Sequence, residues 1–134
     1  MKIIHKIVAM AIEDDQFLMV RKNNKDIWTS LGGKPENGET EKETLLREIK
    51  EEIGCRADIL EKLGDFEAKA VFDDAIVCLS AYLVKIKGKP KVCDKELAEI
   101  KFIDKYYKSK RIELPPSIED QIIPCCVKLG LLKW

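Results

Sequence analysis

The sequence has no excess of either charge. Its 24 basic and 24 acidic residues cancel, whereas a general nucleic-acid or membrane-surface binder carries a basic excess or stripe. No apolar run approaches the roughly 18 residues needed to span a bilayer. The opening MKIIHKIVAMAIEDDQ has the lysine and apolar residues of a targeting segment. His5 and Lys6 interrupt the run, however, and no small-residue cleavage site precedes the charged Glu13–Asp15 turn. The five cysteines, Cys55, Cys78, Cys93, Cys125 and Cys126, are odd in number and contain no C-x-x-C pair, which argues against a zinc or redox motif. The vicinal Cys125–Cys126 pair lies in an apolar helical stretch and reads as ordinary thiols in a reducing, cytoplasmic setting. The lone histidine, His5, reads as a strand residue with a satisfied ring. There is no repeat, low-complexity tract or linker, so residues 1–134 read as one domain. The 46% hydrophobic content is enough for a core.

Ile3–Ile12 reads as a long strand, Asp14–Asp15 as its turn and Gln16–Arg21 as the hairpin partner. A polar loop then leads to Trp28 and to a stretch with three glycines, Gly32, Gly33 and Gly38, where backbone can approach a ligand closely. Asp58–Lys69, Ala75–Lys87 and Ile100–Ile103 read as strands, and Ser117–Leu131 as a closing helix after Pro115-Pro116. Strands, helix, strands, helix imply an α/β fold, with helices on the faces of a mixed sheet.

The clearest element is a helix over Thr40–Ile53. Thr40 and Glu43 form a capping box, and Gly54 sits where a left-handed stop is expected. Leu45, Leu46, Ile49 and Ile53 recur at helical spacing to form a packing side. Glu48, Glu51 and Glu52, at i, i+3 and i+4, share another face. Like charges at that spacing repel by a few tenths of a kcal/mol per pair. Taken alone the face reads as solvated acid. With the glycine loop beside it, it reads as a set of hard oxygen ligands for Mg²⁺, or Mn²⁺, rather than zinc.

Gly33, five residues, Glu39, seven residues, then Arg47-Glu48-Ile49-Lys50-Glu51-Glu52-Ile53-Gly54-Cys55 resembles the Nudix box, G-x5-E-x7-R-E-U-x-E-E-x-G-U. All seven fixed positions match; Cys55 stands where a larger aliphatic residue is usual. The resemblance implies the Nudix α/β/α sandwich and Mg²⁺-dependent cleavage of a diphosphate. It implies metal ligation by Glu48, Glu52, Glu51 (direct or through water) and the Gly33 carbonyl. Arg47 would hold the carboxylates by pairing with Glu39, Glu43 or Glu51. The proton acceptor would be Glu48, or an acid outside the box: Glu96 or Glu99 just before the Ile100–Ile103 strand, or Asp73 or Asp74.

For the substrate, the compact size and Leu114-Pro115-Pro116 look MutT-like, which implies a nucleoside triphosphate cleaved to a monophosphate and pyrophosphate. The ADP-ribose-type proline is missing near Ala70, and Phe72 lacks the hydroxyl of the dinucleoside-polyphosphate marker. Those two substrate classes remain enzyme alternatives, and a non-catalytic nucleotide sensor is a third. Trp28 and Phe72 are candidates for contacting the base, although Trp28, an apolar residue entering a strand, reads more readily as core. Asp120 or Glu119 is a candidate reader of the base, because Ile118 stands where a base-reading asparagine is usual. Ser30-Leu31 replaces the common Leu-Pro of the pre-box segment. The expected partner is a small nucleotide or other diphosphate, with no nucleic-acid polymer and no membrane, on a monomer or homodimer.

Overall fold

The N-terminal apolar run forms the spine of the fold. In the computed structural model, which describes residues 2–70 and 74–134, it is strand β1, Lys2–Glu13. The other strands are β2 (Gln16–Lys22), β3 (Trp28–Gly33), β4 (Arg56–Lys69), β5 (Ala75–Lys87) and β6 (Leu97–Ile103). They form one sheet in the order β4-β5-β1-β3-β2-β6. The β1–β5 pair is parallel, from Lys2↔Ala75 to Ala11↔Val84, and the other pairings are antiparallel. Asp14 and Asp15 make the β1–β2 turn at φ 49° and 61°, a conformation that short acidic side chains tolerate.

A central strand is covered on both faces, which is why β1 is apolar without alternation. Ile7, Ala9 and Ala11 face helix α1 (Glu41–Ile53), whose Leu45, Ile49 and Ile53 are fully buried against them and against Leu31 and Val84. Val8 and Met10 face the C-terminal helical segment, packed with Phe17, Trp28, Leu79, Ile118, Ile122 and Cys126. Each large apolar side chain buried this way contributes about 1.5–3 kcal/mol. The result is the expected α/β/α sandwich around a mixed sheet.

The capping box on α1 is present in both directions, Thr40 N–H to Glu43 and Glu43 N–H to Thr40, and left-handed Gly54 ends the helix. The C-terminal segment is wider than expected. Ser117–Ile122 winds with an i→i+5 bond from the Ile123 amide to the Ile118 carbonyl before α2, Ile123–Lys128. Pro124 has no amide hydrogen to donate to Asp120, so the tighter winding loses a bond there.

Three expectations change. Trp28–Gly33 is a complete strand rather than the start of a loop, paired with β2 and β1. Leu46 is 42% exposed and does not join the packing side. Strand β6 begins at Leu97, so Glu99 lies inside it opposite Arg21 rather than in a preceding loop. All five cysteines are free thiols.

Candidate active site at the end of strand β3

Glu52 is the least exposed acid of the helix, 7% accessible. It lies seven residues after Leu45, about 20° short of two full turns, so it falls on the packing side of the helix. There its Oε1 accepts the Gly32 amide at 2.9 Å. Burial, reinforced by the charges of Glu48 and Asp94 and opposed by the Gly32 hydrogen bond, pushes its pKa up to about 8. Burial also raises the Glu48 carboxyl, against the pull of Arg47.

The two glycines of β3 make room for this arrangement. A methyl group on Gly32, at φ 131°, would lie 2.0 Å from the Ile7 carbonyl oxygen. One on Gly33 would lie 2.6 Å from the Glu48 carboxylate. Glu48 therefore reaches the strand end only because Gly33 has no side chain. Arg47 fixes the geometry from outside. It grips Glu39 with two nitrogens (2.7 and 2.9 Å) and gives Nη1 to Glu48 at 2.8 Å and to Glu51 at 3.2 Å. Its Nη2 also donates to the Lys34 carbonyl at 3.1 Å. This holds the Glu39 carboxyl down at about 2. Of the three expected partners of Arg47, Glu39 and Glu51 are found; Glu43 is occupied by the helix cap.

The cleft beside Glu48 and Glu52 is lined further by Lys6, Lys22, Gly33, Lys34, Asp94 and Glu96. The segment bearing the two loop acids is fastened to the end of α1. The Lys91 amide donates to the Ile53 carbonyl (3.1 Å) and the Cys93 amide to the Glu52 carbonyl (2.9 Å). A second recess opens on the other face of the sheet and shares Ile4, Lys6, Lys22, Gly32 and Glu52 with the cleft. Val8, Val77, Leu79, Pro115 and Ile118 give it apolar walls, and Thr29, Ser30 and Ser117 border it with hydroxyls.

The candidates named from sequence divide accordingly. Gly33, Glu48 and Glu52 come together in the cleft, and Arg47 forms its edge. Glu51 is 53% exposed in its side chain and meets Arg47 rather than the cleft interior. Glu99 is separated from the cleft. Its carboxylate is gripped by Arg21 at 2.7 and 3.0 Å, and neither cleft nor recess includes it. Trp28 is core, 6% exposed, and faces Tyr107 and Ile112. Asp120 is exposed and outside the recess, while Glu119 accepts the Tyr107 hydroxyl. Asp74 is exposed and lines neither cavity. Phe72 and Asp73 lie outside the described residues.

Among the described residues no three acidic, histidine or cysteine side chains converge into a ready metal cage. That suits Mg²⁺, which keeps several waters and takes one or two carboxylates together with substrate phosphates. Two carboxylates raised by burial and by neighbouring acids form, with the oxygen groups beside them, a donor set that a hard divalent cation relieves.

A family model described as the NUDIX domain matches residues 4–114. The chain belongs to the Nudix family. Nudix relatives among curated proteins include the CTP pyrophosphohydrolase of Escherichia coli (strain K12), 31% identical over 71 residues, covering 50% of this chain and 53% of that protein. A Bacillus subtilis (strain 168) protein provisionally named an 8-oxo-dGTP diphosphatase is 32% identical over 67 residues, covering 50% and 45%. The match thus spans about half the length of these relatives. Among solved structures, a Nudix hydrolase from Nitrosomonas europaea superposes with TM-score 0.79 at 15% identity, covering 98% of this chain and 92% of that one. The MutT protein of Methanosarcina mazei Go1 does so at 0.76 and 21%, covering 95% of each. At these identities the likeness shows the Nudix fold.

Two groups at this Nudix site escaped the sequence reading. Asp94 lines the cleft and acts on both Glu48 and Glu52; its only trace in the sequence is the acidic run Asp94 to Glu99. Lys6 had a clearer signal, a cation at the edge of the buried run Ile7–Ala11 of its strand.

Proposed function

We propose that this chain hydrolyses the phosphoric anhydride of a small nucleotide, a nucleoside triphosphate cleaved to a monophosphate and pyrophosphate, with Mg²⁺ as cofactor and Mn²⁺ as substitute. The observation that carries the reading is the buried Glu52 carboxylate. It holds the Gly32 amide and lines one cleft with Glu48 beside a glycine-cleared strand end, at a desolvation cost that a divalent cation would offset.

Glu52, Glu48 and the Gly33 carbonyl would hold the cation, with Glu51 on the outer side. When bound, Mg²⁺ supplies charge neutralisation for the diphosphate and lowers the pKa of a coordinated water. Arg47 keeps Glu48 from swinging into solvent and tethers Glu51 on the outer side. Lys6 and Lys22, on the cleft wall, attract the phosphate oxygens. The acceptor for the proton of the attacking water is Glu96, which lies on that wall with Asp94, instead of Glu99. The recess beyond Gly32 takes the nucleoside, its ring on the apolar wall and its polar edge against Thr29, Ser30 and Ser117.

A panel of nucleoside triphosphates, ADP-ribose and dinucleoside polyphosphates incubated with Mg²⁺, with products identified, tests the reading. Pyrophosphate released from triphosphates is the expected result. Two monophosphates from ADP-ribose would move the assignment to another nucleoside diphosphate-linked compound. No turnover with Mg²⁺ or Mn²⁺ would leave a nucleotide-binding sensor.

A further inference from the structure

The sheet beneath α1 carries a group of polar side chains that the cleft does not use. Ser80 and Tyr82 project from β5 toward α1 and are 2% and 6% exposed. The Tyr82 hydroxyl donates to Glu41 Oε1 at 2.6 Å, and Ser80 Oγ contacts Glu41 Oε2 at 3.2 Å. From β4, Lys62 reaches Glu41 at 3.2 Å and Asp65 at 3.1 Å. Asp65 lies 2.8 Å from Ser80 Oγ, and His5 Nε2 lies 3.0 Å from it. This is not a nucleophile site. The hydroxyl is buried, and the acid contacts the serine rather than orienting the histidine.

What the group does is hold one end of a helix. Between this group and the Glu52 bond to the Gly32 amide at its far end, α1 meets the sheet through Leu45, Ile49 and Ile53, and apolar contacts do not by themselves fix a helix along its axis. Glu41 and Glu48 are seven residues apart. That places them within about 20° of the same meridian and about 10.5 Å apart along the axis. The slot that receives Glu48 is narrow, since a single methyl on Gly33 would fill it. A small shift of the helix would take Glu48 out of that slot.

We propose that Glu41, clamped by Tyr82 and Ser80, is a positioning residue that sets the axial register of α1 and so seats Glu48 and Glu52 in the cleft. The Tyr82 hydrogen bond, ahead of the other contacts, keeps the Glu41 carboxyl below its ordinary range, so the clamp is charged at neutral pH. The proposal rests on the reading of the cleft as a metal site.

Its test measures Mn²⁺ binding to the substrate-free protein by electron paramagnetic resonance, alongside amide-hydrogen exchange at Gly32, whose amide bonds Glu52. Tyr82→Phe and Glu41→Ala are expected to weaken Mn²⁺ binding by about tenfold, as loss of a ligand-orienting partner does, and to speed exchange at Gly32. Glu41→Gln keeps an oxygen for Tyr82 and is expected to bind within about twofold of the parent. Ile103→Val, a one-methyl cavity on the opposite face, controls for general loosening and should leave both readouts unchanged. Wild-type Mn²⁺ affinity in Tyr82→Phe and Glu41→Ala would overturn the proposal, as would an equal loss in Ile103→Val. If the parent binds no Mn²⁺, the metal reading fails, and unchanged Gly32 exchange in both clamp variants then overturns the clamp as well.

Discussion

Replacing Glu52 by glutamine should stabilise the metal-free protein while removing the proposed metal site. Glutamine keeps an oxygen to accept the Gly32 amide, so the change removes charge and little else. The folded carboxyl titrates at about 8 against an ordinary 4.5. The folded state therefore binds the proton more tightly than the unfolded chain, and stability is lost as pH rises between those values. Each pH unit in that window costs about 1.4 kcal/mol. The deficit relative to a neutral isostere is then about 3 kcal/mol at pH 7 and levels off near 5 kcal/mol above pH 8, as ceilings that relaxation and water entry will reduce. Urea denaturation of both proteins in chelator, from pH 4 to pH 9, reads this directly. The curves should coincide at the acid end and separate progressively toward neutrality, with Glu52→Gln the more stable. Adding Mg²⁺ should raise the midpoint of the parent alone by ligand linkage, with proton release on binding. A variant less stable than the parent at every pH, or a gap that does not change with pH, would refute the reasoning.

Gly33→Ala should fold with a loss of no more than about 1 kcal/mol, because the clash is with the carboxylate end of the Glu48 side chain and not with backbone. Displacing Glu48 should nonetheless weaken Mg²⁺ activation by about 10–100-fold, checked by a Mg²⁺ titration of the rate. Gly32→Ala should differ in kind. The clash is with the Ile7 backbone and the φ is positive, so a loss of about 4 kcal/mol in a denaturation midpoint is expected. Arg47→Lys loses the two-pronged grip on Glu39 and the bonds to Glu48 and Glu51, and kcat/KM should fall by about 10–100-fold with a modest change in Tm. Glu96→Gln should lower kcat by about 10²-fold or more. Glu99→Gln breaks a half-exposed pair with Arg21 and should cost under about 1 kcal/mol with unchanged kinetics; the reverse ranking would return the proton acceptor to Glu99.

The elements with strong local signatures were legible before any coordinates. Thr40, Glu43 and Gly54 bracket α1 because capping is a matter of a few adjacent residues. The Asp14–Asp15 turn is equally local. Strand β3 was obscured because its two glycines, which suggest a loop, are there to let Ile7 and Glu48 approach, and those neighbours are distant in sequence. A helical wheel groups Glu48, Glu51 and Glu52 and already sets Glu52 near Leu45, but it does not show that Glu52 is drawn under the helix onto the Gly32 amide while Glu51 stays outside. Glu99 was misplaced by a strand boundary. Three more residues of β6 turned a loop acid into the cross-strand partner of Arg21. The core position of Trp28 follows its apolar place at the start of a strand, whereas the side of the helix that Asp120 occupies is decided by packing.

The parallel pairing of β1 with β5 bears on how this chain folds. Lys2 lies beside Ala75 and Ala11 beside Val84, so these two neighbouring strands come from segments separated by β2, β3, α1 and β4. The β2–β3 hairpin and the capped helix are local and can form early, but Gly32 and Gly33 find their places only against Ile7 and Val8. Contacts of such long range are slow to form because the chain must close a large loop before gaining anything from it. During synthesis the carboxylates of α1 emerge before β5, and the cleft lacks Asp94 and Glu96 until the segment that follows β5 has been made.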